Sequence, residues 1–125
     1  MKSALLILAS FLAAAPATKK APARCPTEKI QFTKETGCRT DDYVQFCVRE
    51  GDKKLLAAIK RIAPTAENKG HQRCDEKELL FFLPVGVELG SCVERSGAMT
   101  DRGWNQVCAL ARLPQIAGLR QVRFE

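Results

Sequence analysis

The chain has 125 residues and carries 20 Lys and Arg against 14 Asp and Glu, a formal net charge of +6. That length holds one domain and no more, large enough to bury a real core. The positive balance points to acidic partners: an acidic protein, an anionic polysaccharide or an anionic lipid surface.

Residues 1–17 read as a secretory signal peptide. Met1-Lys2 is a short basic start, Ala4 to Ala15 is an uncharged apolar run, and Ala15-Pro16-Ala17 is the small-x-small pattern cut by a signal peptidase. The apolar run is too short for a membrane span, so the mature chain is expected to be soluble, without a transmembrane segment, and secreted or periplasmic. Export makes nucleic acid an unsuitable target despite the charge. Residues 18–24 lack large apolar side chains and read as a mobile leader. Residues 25–125 then form the single domain.

Cys25, Cys38, Cys47, Cys74, Cys92 and Cys108 all lie downstream of the cleavage site. An even number in a short exported chain reads as a disulfide framework, here of three bridges. No two are spaced Cys-x-x-Cys, so neither a thioredoxin-type redox site nor a paired-cysteine zinc site has its usual signature.

Tyr43 to Val48 alternates, with Val44, Phe46 and Val48 on one face and Tyr43, Gln45 and Cys47 on the other, which predicts a strand. Asp52 is placed to cap a helix over Lys53 to Ala63. Its apolar side carries Leu55, Leu56, Ile59, Ile62 and Ala63, and Pro64 stops it. Thr65 to Arg73 is polar, contains Gly70, and is the most loop-like stretch. Leu79 to Leu83 and Val87 to Val93 read as two strands of a hairpin, joined by a type I turn at Leu83-Pro84-Val85-Gly86. Thr100 is placed to cap a second helix over Asp101 to Leu113, with Trp104, Val107, Cys108 and Ala111 on its core face. Leu119 to Phe124 closes the domain as a strand with Val122 and Phe124 inward.

The order is strand, helix, hairpin, helix, strand. A faint internal echo supports it, since Cys47-Val48 and Cys92-Val93 each precede a helix that ends at a proline. The expected fold is therefore α+β, with two helices on an antiparallel sheet in the ferredoxin-like β-α-β-β-α-β order. The first and third strands of such a sheet are neighbours. With Cys47 and Cys92 both opposite the apolar faces of their strands, Cys47–Cys92 is the expected bridge. Cys108 lies on a core face and is expected to pair with Cys25, Cys38 or Cys74.

For function, the residues point to binding rather than catalysis, without a cofactor or metal. His71 is the lone histidine and falls in a loop, and no Gly-x-Ser-x-Gly or phosphate-binding loop is present. The leading surface is the outer side of the first helix, where Lys53, Lys54, Lys60 and Arg61 fall within about 120° of arc at 100° per residue. An inhibitor, an effector or an envelope accessory protein would use it. Tyr43, opposite Val44 and Phe46, is a further contact candidate. One alternative is a small hydrolase acting on cell wall or polysaccharide with a carboxylate pair from Asp41-Asp42, Asp75-Glu76-Glu78 or Glu88/Glu94. The other is a structural envelope component.

Overall fold

In the computed structural model, which describes residues 24–124, a 3-10 turn at Thr27–Lys29 leads into β1 (Tyr43–Arg49), α1 (Lys53–Ile62), β2 (Glu67–Asn68), β3 (Glu78–Pro84), α2 (Asp101–Ala111) and β4 (Leu119–Gln121). Residues 1–17, expected as a signal peptide, and all of the expected leader but Arg24 lie outside the described residues. The element order is β-α-β-β-α-β, and the four strands form one antiparallel sheet in the order β2-β3-β1-β4. This is the ferredoxin-like arrangement, with the first strand beside the third.

Both helices begin where their caps predict. The Asp52 carboxylate accepts from the Leu55 amide, and the Thr100 hydroxyl accepts from the Gly103 amide. Each thereby satisfies one of the four N–H groups that a helix start leaves without a partner. Leu55 and Ile59 from α1 and Val107, Leu110 and Ala111 from α2 pack on Val44, Phe46, Val48, Phe81 and Leu83 of the sheet. Burying a side chain of this size contributes about 1.5–3 kcal/mol, so this interface is the main core. Trp104 joins it half-buried, edge-on to Phe32.

Two strands differ from the sequence expectation. The segment Leu79–Leu83, expected as the second strand, lies within the third, and the second is Glu67–Asn68 within the stretch that reads as loop. Its pairing with β3 is continued just past its end by backbone groups, the Lys69 amide donating to the Leu80 carbonyl and the Leu80 amide to that of Gly70. Residues 87–93, expected as the hairpin's return strand, form turns instead. The Gly86 carbonyl accepts from the amides of Leu89, Ser91 and Cys92, and the Ser91 hydroxyl accepts from the Gly86 amide. That closure uses the backbone groups a ladder would need, and Val87, Leu89 and Val93 remain exposed. The last strand is shorter than expected: Val122 is buried, but on the sheet face away from the helices, and Phe124 is 57% exposed instead of inward.

The disulfides are Cys25–Cys108, Cys38–Cys92 and Cys47–Cys74. The expected Cys47–Cys92 bridge is therefore corrected, while Cys108 takes one of its three expected partners. Strand register explains the correction. Cys47 sits opposite Leu80 and Tyr43 opposite Pro84, so the chain reaches Cys92 only after passing the far end of β1. Four residues of strand separate Tyr43 from Cys47, about 13 Å, against a disulfide limit of about 7 Å between Cα atoms. Cys74 instead precedes β3, at the end of the sheet where Cys47 lies.

Candidate functional site

The outer face of α1 is set by the same period that buries Leu55 and Ile59. Lys53, Lys54, Lys60 and Arg61 are all exposed, arranged around the exposed Ala57. Among the described residues, no carboxylate pairs with any of the four within 4.0 Å. The first turn holds no acidic residue, and it carries Lys53 and Lys54. Cations there oppose the helix dipole, and a charge in the first turn is worth about 0.3–1 kcal/mol at low salt. The two lysines therefore stand where they do not favour the helix. Beside this face runs a groove of about 330 Å³ lined by Leu56, Ile59, Lys60, Ala63 and Phe81, among others. The site thus joins four cations, unpaired among the described residues, to a small recess of mixed polarity whose wall includes one of them.

The carboxylates are dispersed. An Asp41 oxygen accepts from the Phe124 amide, and Asp52 is occupied by its cap. Asp42 holds a positive φ of 72°, and its carbonyl accepts from the Val85 amide. Glu88 and Glu94 are exposed in the turns that replace the expected strand, so they do not share a strand face. Asp75, Glu76 and Glu78 do line one concavity, of about 530 Å³, together with Asp52, Arg49 and Lys77. His71 is exposed, with its Nε2 3.1 Å from the Glu50 carboxylate. Tyr43 is half-buried and packs on Phe82, ring centroids 5.0 Å apart. The Cys47 and Cys74 sulfurs lie near a Glu78 oxygen. They are bonded to each other, so neither is a thiolate that could ligate a metal.

One residue escaped the sequence reading. Gln45, on the face of β1 away from the helices, is 6% exposed, and no hydrogen bond reaches its carboxamide among the described residues. Leaving a buried amide without partners costs about 1–3 kcal/mol, and such groups are few in folded proteins. The only signal in the sequence was an amide in the middle of an alternating strand. Its burial depends on residues distant along the chain.

Comparison of the chain with protein-family models, with curated proteins and with solved structures finds no match.

Proposed function

We propose that the protein works in an oxidising, extracytoplasmic compartment as a binding protein, and that α1 docks an acidic face of a protein partner. The three disulfides support that compartment. The observation that carries the docking surface is the set of four exposed, unpaired cations, two of them placed against the helix dipole. The adjoining groove, of mixed polarity with Leu56 and Ala63 in its wall, supports a protein over a polysaccharide, because it gives one apolar side chain of the partner a partly apolar place to bury.

The test uses Glu-rich peptides with and without a single leucine, heparin, and vesicles containing phosphatidylglycerol. The wild-type protein should bind the leucine-bearing peptide more tightly than the plain one. Binding should weaken as salt rises, since the Debye length shortens from about 10 Å at 0.1 M to about 3 Å at 1 M. The triple variant Lys53→Glu, Lys54→Glu, Lys60→Glu should lose the peptides while keeping the fold. A second triple variant, Lys69→Glu, Arg102→Glu, Arg123→Glu, has the same net charge and should retain them. Equal losses in the two variants, or tighter binding to heparin or vesicles than to the leucine-bearing peptide, would count against an acidic protein docked on α1.

A further inference from the structure

The face of the sheet away from the helices carries a second concavity, of about 240 Å³, where β4 begins and the loop before β3 crosses the sheet. Its walls include Gln45, Cys47, Asp75, Glu78, Gly118 and Arg120. Gln45 and Arg120 are register partners on β1 and β4, so both side chains leave the sheet on the same face. Three features of this concavity belong together. Gln45 as a residue is more than nine-tenths buried, and its carboxamide has no partner among the described residues. Arg120 and Asp75, both exposed, and the half-buried Glu78 line the same small space, yet among the described residues none of them pairs with another within 4.0 Å. One Glu78 oxygen is already held, accepting from the Asp75 amide at 3.1 Å, which fixes that carboxylate at the wall.

We propose that this concavity is a binding site for the zwitterionic centre of an α-amino acid. An ammonium group has three donors and no acceptor, and it suits Asp75, Glu78 and the Gln45 carbonyl oxygen. A carboxylate suits the fork of Arg120 and the Gln45 amide donors. A carboxamide is the side chain that can read both charges at once. A purely cationic ligand would leave Arg120 facing a like charge, and a purely anionic one would face two carboxylates. The volume is below the about 300–1,000 Å³ of sites for drug-sized ligands, which limits the occupant to amino-acid size. Asp75 and Glu78 also line the larger polar concavity beyond, so a long polar side chain has room to continue. This site is independent of the basic face of α1.

The test follows the Gln45 carboxamide signals of the oxidised protein by NMR during titration with L-lysine. Two analogues serve as comparison: cadaverine, which lacks the carboxylate, and ε-aminocaproate, which lacks the α-ammonium. Lysine should shift the Gln45 signals more strongly and at lower concentration than either analogue. Arg120→Ala and Glu78→Gln should each weaken lysine binding about tenfold or more, the loss of one charge-assisted hydrogen bond. Gln45→Met, followed instead through the backbone amide signals of Gly118 and Arg120 at the same concavity, should abolish binding and raise the melting temperature, because methionine fills the space without a buried amide. No response to lysine at about 10 mM, ten times the concentration that marks a 1 mM site, would overturn the proposal. So would equal binding of either analogue, or unchanged affinity in a folded Gln45→Met variant.

Discussion

Thr100 closes the start of α2 from both sides: its hydroxyl accepts from the Gly103 amide at 3.1 Å and donates to the Gly90 carbonyl at 2.6 Å. One side chain thus caps the helix and ties it to the preceding turn. Thr100→Ala should cost about 1–2 kcal/mol, read as a lower midpoint in urea, and Thr100→Ser should recover most of it. The next residue supplies a pH dependence. Lys34 holds the Asp101 carboxyl below its ordinary pKa, first by hydrogen bond and then by charge. A carboxyl with a lowered folded-state pKa adds stability that is complete above its unfolded value. That stability is lost as pH falls through the folded one. Asp101 is exposed, so the effect is small and salt-sensitive. Asp101→Asn should therefore lower stability slightly at neutral pH and match the wild type in strong acid. A difference between the two that persisted unchanged below the carboxylate range would argue against this pair.

At the scale of elements, α2 is pressed onto a turn. A Cβ at Gly103 would lie 2.5 Å from the Ser91 carbonyl oxygen and 2.9 Å from its Cα. Gly-to-Ala inside a helix ordinarily gains about 1 kcal/mol. Here the neighbour is backbone held by the Gly86–Ser91 hydrogen bonds. Gly103→Ala should instead lose about 1–3 kcal/mol, measured by thermal or urea denaturation, and a stabilised variant would show that the turn gives way. The strands show how far pattern reaches. β1 was legible because one of its faces, Val44, Phe46 and Val48, meets the helices while Cys47 and Tyr43 on the other are only half-buried. β3 was legible as an apolar run, since Phe81 and Leu83 meet the helices and Leu80 and Phe82 are buried on the opposite face. Its place in the sheet was not, because β2 buries no side chain and leaves no pattern. Residues 87–93 alternate as a strand would, yet local hydrogen bonding to Gly86 prevailed.

For the molecule as a whole, the bridges tie the ends and the middle of the chain. Cys25–Cys108 spans 83 residues, Cys38–Cys92 spans 54 and Cys47–Cys74 spans 27. Loop-closure entropy assigns them about 4.5, 4 and 3.5 kcal/mol taken singly. Replacing both cysteines of a pair by alanine should therefore destabilise most for Cys25–Cys108 and least for Cys47–Cys74, compared by urea midpoint. The reverse order would show that local strain or residual unfolded structure outweighs loop length. Reduction of all three should lower the midpoint sharply, since net stabilities are about 5–15 kcal/mol.

What the sequence determined alone is local or periodic: both helices with their caps, the alternation of β1, the α+β class, and the cationic arc on α1. Each of these depends on residues within a few positions of one another, so spacing is sufficient to read it. What the tertiary structure decided is relational. Disulfide pairing followed from the register that sets Cys47 opposite Leu80, and β2 exists only because β3 offers it an edge. The concavity around Gln45 draws on residues from position 31 to position 120. Burial of Gln45 and the gathering of residues of unlike charge around it arise from chain crossings, which no local pattern of residues encodes.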